Sequence, residues 1–383
     1  MPHPATLHRR RGFRWAILLL AGWLFFGAGG SGCRPATAPL SAPGYLLAGS
    51  NVSNDFDNNA LYLFDTAPGP AVTAAARSAP LRVDLPRSWV RYLNRAPDGR
   101  LWIGLGGDFT RNDDRVQVYS AQGELLHTLR PCNNPEAGIT FAAGYAFVGC
   151  TNDGFTGTVV VLDPNDFSTV TTLTLALPDA PVLLVGSGAT ERHVLLTAMT
   201  TGPDPQRSYA LANIIDARQL EISAQISLGA DTDIWTVLPH EERFYLLNVA
   251  SARSAAQPRP DVLILDPDAP ATPERLTLPL ASPLWGQIVA GELYVYHHPG
   301  WNTTQQEPWR GLSRTPLRGG SGVAWSLPDG FEAGALAVWQ GVPCLSHWDA
   351  WSPTEEHGLY CLDEEGALQL RFPIPDASGV LIP

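Results

Sequence analysis

Short apolar runs that end near an aspartate recur along most of the chain. They are LYLFDT at 61–66, VQVYSA at 116–121, VVVLDP at 159–164, ANIIDA at 212–217, VLILDP at 262–267 and GLYCLDE at 358–364. A degenerate copy, GLSRTPL at 311–317, fills the one gap in the series. The aspartate or its equivalent returns about every 50 residues, and a fixed period of this length indicates a repeat protein.

Other apolar segments accompany each run in a constant order. A small or β-branched segment and a second apolar segment such as LWIGLG (101–106) precede it, and an outer segment such as STVTTLTL (168–175) follows. The segments are short, rich in β-branched and aromatic residues, and separated by Gly, Pro and Asp, which is typical of strands. No stretch keeps a helical period over ten or more positions. We therefore predict an all-β fold, a seven-bladed β-propeller of four-stranded antiparallel blades.

The two ends of the repeat region complement each other. The first unit lacks an inner strand before residue 45, and SGVLIP at 378–383 is a strand without a unit of its own. We predict that Val380 to Ile382 complete blade one and close the ring, because closure removes exposed sheet edges. Residues 45–383 then form a single propeller domain.

The first 32 residues have the features of an export signal. Four arginines within residues 9–14 precede the apolar run from Trp15 to Phe26, which is too short to span a bilayer. The small residues before Cys33 resemble a bacterial lipobox, in which the new N-terminal cysteine carries lipid such as palmitate; Gly30 departs from the usual Leu. An ordinary cleaved signal, with Cys33 as an incidental thiol, is the alternative. Sec and twin-arginine export both fit, and residues 33–44 are a Pro/Ala-rich tether.

Charge narrows the possible partners. The net charge is −12, and removal of residues 1–32 leaves 21 basic and 37 acidic residues, or −16. This balance argues against nucleic acid and against electrostatic binding to anionic lipid, so that lipid on Cys33 is the expected membrane contact. All 25 basic residues are arginine, which excludes lysine-dependent Schiff-base and P-loop mechanisms.

Four cysteines remain after the signal. In an oxidising compartment they are expected to form disulfides, and three connectivities are possible. Clustering favours Cys132 with Cys150 and Cys344 with Cys361. A hairpin turning near Ser352 would also place Cys344 opposite Cys361. Zinc is the rival interpretation, but the chain has no CxxC spacing.

The whole pattern resembles the seven-bladed propellers of bacterial secreted proteins, the YVTN/quinoprotein-like superfamily. The resemblance is architectural and covers nearly all of residues 44–383; LWIGLGGD and YAFVGCTND occupy the strands of the Tyr-Val-Thr-Asn signature, which is absent. Ligands of propellers usually enter at the central funnel. Because one fold hosts many activities, the resemblance does not transfer a function.

Two loops concentrate aromatic residues and histidines. HHPGWNTTQQEPWRG contains His297, His298, Trp301 and Trp309, and HWDAWSPTEEHG contains His347, Trp348, Trp351 and His357. Exposed Trp rings stack on sugars and act as anchors in protein interfaces. We predict a ligand-binding surface at Trp301, Trp309, His347, Trp348 and Trp351, with the histidines solvated or hydrogen-bonded. The alternative is that these tryptophans are structural and cover loops that are too long to pack alone.

Acidic residues suggest a second, weaker hypothesis. Loops of the early units carry residues such as Asp113 and Asp114, and the starts of the inner strands carry Glu136, Asp179, Asp233, Glu332 and Asp376. Such oxygen ligands hold Ca²⁺ or another divalent cation in some propeller lactonases. Polar turns explain the same residues without a metal, and the recurrent strand-end aspartates fit turn caps better than catalysis. No cofactor is therefore predicted.

We expect a monomeric, lipid-anchored envelope propeller, periplasmic or surface-facing, that binds a protein or glycan without catalysis. The chain has no GxSxG nucleophile motif, no dinucleotide fingerprint and no HExxH motif. A metal-dependent, lactonase-like or quinoprotein-like enzyme that uses an acidic funnel is the alternative.

Overall fold

The computed structural model describes residues 44–48, 59–64, 80–88, 90–106, 113–135, 138–151, 157–175, 182–201, 208–230, 232–249, 260–298, 311–328, 331–339, 341–347, 357–363, 365–374 and 377–381. Every regular element within these ranges is a β-strand. The predicted signal, Cys33 and the tether up to residue 43 lie outside the described residues. The first strand begins at Gly44, one residue before the predicted start of the propeller.

The described strands form seven four-stranded sheets. The first sheet contains β1 (Gly44–Ala48), β2 (Ala60–Phe64), β3 (Leu81–Asp84) and the C-terminal β28 (Ala377–Leu381). The second and third contain β4 (Val90–Arg95), β5 (Leu101–Leu105), β6 (Val116–Tyr119), β7 (Leu125–Leu129), β8 (Ile139–Ala142), β9 (Tyr145–Thr151), β10 (Gly157–Leu162) and β11 (Thr169–Leu175).

The remaining sheets follow the same order along the chain. The fourth and fifth contain β12 (Val182–Ala189), β13 (His193–Thr201), β14 (Ser208–Asp216), β15 (Glu221–Ala230), β16 (Ile234–His240), β17 (Arg243–Asn248), β18 (Asp261–Leu265) and β19 (Glu274–Thr277). The sixth and seventh contain β20 (Pro283–Val289), β21 (Glu292–His297), β22 (Gly311–Pro316), β23 (Val323–Ser326), β24 (Ala333–Trp339), β25 (Val342–His347), β26 (Gly358–Leu362) and β27 (Leu368–Pro373).

Neighbouring strands within each sheet are antiparallel. Six sheets keep chain order, and the first has the order β28–β1–β2–β3, so that the C-terminal strand is its inner strand. The architecture is an all-β propeller of four-stranded antiparallel blades, as predicted. The degenerate copy at 311–317 supplies β22, the third strand of its sheet.

Burial differs between the middle and the outermost strands of each sheet. Middle strands such as β5 are buried at every position because neighbouring sheets cover both faces. The outermost strand β15 alternates between exposed and partly buried residues, since only one of its faces is covered. The low content of charged residues, 16% of the chain, follows from the many strands of the first kind.

Side chains tie each sheet to the next one. The first strands pack in series, β4 with β8, β8 with β12, β12 with β16, β16 with β20, β20 with β24, and β24 with β28. Links between consecutive sheets include Asn94 Nδ2 to Ile139 O (2.5 Å), Thr197 Oγ1 to Ile234 O (3.1 Å), Thr236 Oγ1 to Leu284 O (2.6 Å) and Trp285 Nε1 to Ala333 O (3.0 Å). Asn59 Nδ2 likewise donates to Ser88 O, which precedes the second sheet. These bonds satisfy polar groups that the packing of sheets removes from water.

The two ends of the blades differ in their connections. First strands begin and second strands end at one end, here called the site face and marked by Asp233, Asn248, His297 and His347. The opposite end, here called the turn face, carries the short connections from first to second and from third to fourth strand. Ala143–Gly144, Glu241–Glu242 and Ala290–Gly291 are two-residue turns on this face, and all six residues have positive φ.

The recurrent aspartates cap turns on the turn face. Carboxylate oxygens accept backbone N–H bonds: Asp163 from Asn165 (2.8 Å), Asp216 from Arg218 and Gln219 (2.9 and 3.0 Å), Asp266 from Asp268 (2.9 Å), and Asp363 from Ala367 (2.7 Å). These bonds confirm the structural role that the sequence predicts for the strand-end aspartates. The Gln219 bond is the main cause that lowers the pKa of Asp216.

Both predicted disulfides are present. Cys132, in the connection after β7, bonds to Cys150 on β9, and the two Cα atoms are 6.1 Å apart. Cys344 and Cys361 are directly opposed on β25 and β26, with Cα atoms 4.0 Å apart. The first bond fastens the connection between the second and third sheets, and the second joins two strands of the seventh sheet.

Candidate functional site

A β-bulge recurs near the site-face start of the inner strand. The extra residue is Arg91, Val185, Trp235, Leu284, Gly334 or Ser378 in six of the sheets. A bulge redirects side chains and interrupts the ladder, and it is common beside binding sites. The bulges therefore give the inner strands a geometry at this end that their opposite ends lack; near the turn face, bulges lie instead between third and fourth strands.

The bulge of the fifth sheet positions a buried carboxylate. The indole Nε1 of Trp235 donates to Asp233 Oδ1 at 2.6 Å, and the Asp233 backbone N–H donates to Asn248 Oδ1 at 2.8 Å. Asp233 is only 4% exposed, and Trp235 belongs to the main apolar cluster. The carboxylate predicted as a metal ligand thus serves as the acceptor for an indole.

His297 forms a buried dyad with Ser313 in the sixth sheet. Its Nδ1 lies 2.8 Å from Ala281 O and its Nε2 lies 2.7 Å from Ser313 Oγ. Burial lowers the pKa of His297 to about 4, although the Ala281 carbonyl works in the opposite direction. The ring is therefore neutral at pH 7: Nδ1–H donates to Ala281, and the Ser313 hydroxyl donates to Nε2.

This dyad has the composition of a nucleophile and its base. Both residues are 0% exposed, however, and a general base must reach the proton of a bound substrate or water. The dyad therefore joins β21 and β22 through a hydrogen bond that is closed to solvent.

Aromatic rings gather at the site face of the seventh sheet. Phe331 stacks on His347 with ring centroids 4.4 Å apart, and His347 Nδ1 lies 3.0 Å from Glu332 O. Tyr360 meets both rings edge-on, at 5.4 Å from Phe331 and 5.8 Å from His347. The His357 ring stands perpendicular to that of His347 at 5.8 Å. We call Phe331, His347, His357 and Tyr360 the ring cluster.

The ring cluster is a rigid platform. Phe331, His347 and His357 are each less than 10% exposed, and stacked and edge-on contacts fix ring orientation. His347 directly precedes the loop 348–356 and His357 directly follows it. The cluster therefore anchors both ends of the loop that contains Trp348 and Trp351.

The structure describes only some of the predicted site residues. His347 lies in the ring cluster, and Asp233 and Glu332 precede the inner strands of the fifth and seventh sheets. Trp301, Trp309, Trp348, Trp351, Glu136, Asp179 and Asp376 lie outside the described residues. Among the residues that are described, no group of three or more His, Cys, Asp and Glu side chains could hold a metal.

Acidic residues of the second sheet are paired with arginines. Arg115 contacts Asp113 through two bonds of 2.9 and 2.6 Å, and Arg130 pairs with Asp114. Burial works to raise the pKa of Asp113, but the Arg115 hydrogen bond and further bonds lower it overall. The acidity that the sequence suggests for this part of the site face is locally compensated.

Sequence reasoning missed the bonds of Trp235 and Arg115. One signal was available, because IWTV (234–237) and LWGQ (284–287) place a Trp near the start of successive inner strands. The two indoles nevertheless bind different acceptors, the Asp233 carboxylate and the Ala333 carbonyl. A one-residue bulge offset produces this difference: Trp235 is the extra residue in its sheet, whereas Leu284 takes that place beside Trp285.

Known structures share this architecture. A proposed 6-phosphogluconolactonase from Bacteroides fragilis NCTC 9343 is similar with a TM-score of 0.55 and 12% identity, covering 92% of this chain and 100% of that one. BamB from Moraxella catarrhalis is similar with a TM-score of 0.50 and 11% identity, covering 85% and 88%. The fold is a β-propeller. At these identities the likeness concerns the fold alone, and no protein-family model and no curated protein sequence matches the chain.

Proposed function

We propose that the chain is an exported, lipid-anchored β-propeller of the bacterial envelope that binds a protein or glycan partner through its site face. In this proposal the lipid is carried by Cys33, the protein is a monomer, and no reaction is catalysed. The seven sheets are the blades of one ring, closed by the pairing of β28 with β1 and its packing on β24.

The disulfides support an extracytoplasmic location. Bonds such as Cys132–Cys150 and Cys344–Cys361 persist in oxidising compartments and are rare in the cytosol. The basic and apolar segments before Cys33 fit export to such a compartment. The described part of the chain holds no helix with the length and hydropathy needed to cross a bilayer.

The ring cluster is the observation that carries the binding proposal. A partner is bound well when its anchor residues project from a scaffold that is already ordered, because less conformational entropy is lost on binding. The buried rings of Phe331, His347 and His357 provide such a scaffold at the ends of loop 348–356. His297 and His298 are buried in the same way where loop 299–310 begins.

Catalysis is less favoured by the described geometry. The Ser313 hydroxyl and His297 are inaccessible, and the Asp233 carboxylate accepts the Trp235 indole. Neither arrangement presents a nucleophile or a base to a substrate.

The binding proposal is tested by replacing the loop tryptophans. The double variant Trp301→Ala/Trp351→Ala is compared with the parent by crosslinking and capture from envelope extracts, followed by binding of purified envelope glycans. Loss of two aromatic anchors should weaken the captured complex roughly 30-fold or more.

A tryptophan on the outer edge provides the matched control. Trp325 lies on β23, the outermost strand of the sixth sheet, and its indole lies against Gly366 in a turn of the seventh sheet. Trp325→Ala should retain binding, provided that its thermal unfolding shows a folded protein. Binding of every recovered partner that survives the double change would refute the proposal.

A further inference from the structure

We infer that the lipid anchor holds the propeller with its turn face toward the membrane, so that the site face meets its partner from the aqueous side. The inference rests on the proposed lipidation of Cys33. It adds an orientation that neither the fold nor the signal motif states, and it follows from where β1 begins.

The direction of β1 places its start at the turn face. Gly44 is opposite Phe64, the last residue of β2, and Tyr45 is opposite Leu381, the last residue of β28. Ala48, at the other end of β1, is opposite Ala60. Asn59, next to Ala60, reaches the connection toward the second sheet through Ser88. The chain therefore enters the propeller at the turn face and runs toward the site face.

The entry point is also close to the centre of the propeller. β1 is the second strand of its sheet, and only β28 lies inside it. A chain that enters there must pass two further strands, β2 and β3, to reach the outer edge. Strand spacing makes that path ~10 Å, and the length of a five-residue strand adds ~17 Å.

The length of the tether disfavours the opposite orientation. Eleven residue steps lead from Cys33 to Gly44, and an extended chain gains ~3.4 Å per step, which gives ~37 Å. To lay the site face on the bilayer, the tether would have to cross the turn face and follow the outer edge down to the membrane, ~27 Å without counting side chains. That orientation uses most of the full extension of the tether, whereas the reverse one requires no extension.

Charge keeps the propeller off the membrane surface without selecting one of its faces. Without residues 1–32 the chain has a net charge of −16, so anionic lipid headgroups repel the propeller as a whole. On the turn face the side chains of Glu241 and Asp268 are 79% and 67% exposed. The propeller is thus held by its lipid and does not lie down on the membrane, which leaves the ring cluster facing a partner in the aqueous compartment.

The absence of lysine makes the orientation measurable. Arg218, exposed in the turn after β14, and Arg87, exposed in the connection after β3, lie on the turn face and the site face. Arg218→Lys and Arg87→Lys each create one reactive side-chain amine without changing the net charge. The lipoprotein is extracted from membranes, labelled with an amine-reactive donor dye, and inserted into phosphatidylethanolamine/phosphatidylglycerol vesicles that contain acceptor lipid. The lysine-free parent gives the background from the N-terminal amine.

Energy transfer to the bilayer should be at least twofold more efficient from the Arg218→Lys protein than from the Arg87→Lys protein. Equal or reversed efficiencies, with lipid on Cys33 shown by mass spectrometry, would overturn the orientation and leave the anchored-propeller proposal intact. Cys33→Ser, which cannot carry the lipid, should stay in solution. A parent without lipid on Cys33 would refute the anchor and the orientation together.

Discussion

The turn face and the site face are built from the same strands but follow different rules. On the turn face the same solution recurs: an aspartate accepts backbone N–H bonds after the third strand, and two residues with positive φ connect first to second strands. On the site face the backbone bulge recurs, but the side-chain contacts differ between sheets, with an indole–carboxylate bond in the fifth, a His–Ser dyad in the sixth and stacked rings in the seventh. Local backbone geometry governs one face, and long-range packing governs the other.

The contrast indicates where a binding function can develop. A turn-face residue is constrained by its own backbone, so a change there acts mainly on stability. Site-face residues are held by neighbours from other strands, so their loops can vary while the bulged strand ends stay fixed.

The largest loss of stability is expected when β28 is removed, because this strand runs from the site face to the turn face. Deletion of residues 378–383 removes most of β28 and exposes the inner edge of β1. We expect a loss of several kcal/mol and a decrease of Tm by ~10 °C or more. Differential scanning calorimetry measures this, with deletion of residues 382–383 alone as the matched control. Unchanged thermal unfolding of the longer deletion would contradict the proposed ring closure.

The second prediction concerns the pH dependence of stability that His297, at the site face, is expected to cause. The folded-state pKa of His297 is lowered to about 4, against ~6.5 in the unfolded chain. The unfolded state therefore binds the proton more readily, and the stability present above pH 6.5 is lost as pH falls toward 4, by about 3 kcal/mol.

Urea unfolding at several pH values tests this prediction. His297→Gln keeps a hydrogen-bonding side chain but removes the titration, so its stability should fall by about 3 kcal/mol less than that of the parent between pH 7 and 4. Unfolding of both proteins at pH 7.5 measures the packing cost of the substitution separately. Parallel pH profiles for the two proteins would contradict the buried, neutral state of the dyad.

The smallest expected effect is a gain in stability from substitutions in one turn of the turn face. Glu241 and Glu242 have φ values of 46° and 60°, a region where Asn and Gly are favoured. Replacement of the pair by Asn-Gly should stabilise the protein by about 1 kcal/mol and raise Tm by ~2 °C. Glu241→Ala/Glu242→Ala removes the same charges without relieving the backbone and should give no gain. A decrease for the Asn-Gly variant would show that the turn is not limited by local geometry.

The turn face and the repeat could be predicted from the sequence because their causes are local. Asp163, Asp216, Asp266 and Asp363 end apolar runs that recur about every 50 residues, with the degenerate copy between the last two, and turn capping follows from that position. The opposition of Cys344 and Cys361 also follows from hairpin symmetry along one short segment.

The site face could not be predicted in the same way because its partners are distant in sequence. His297 bonds to residues 16 positions away, and the Trp285 indole reaches a carbonyl 48 positions away in the next sheet. The burial that lowers the pKa of His297 depends on tertiary packing, which cannot be read from the sequence of the adjoining loop alone. Residue type indicated hydrogen-bonded histidines, but not which acceptor each would take.

The pairing of β1 with β28 has a consequence for the order of folding. The two strands are separated by more than 300 residues, so β1 has no inner neighbour until residues 377–381 have been synthesised. Contacts of such long range slow folding and leave an edge open to other chains in the meantime. A protein of this topology reaches its native state only after its last strand is released, which is compatible with transport across a membrane as an unfolded chain.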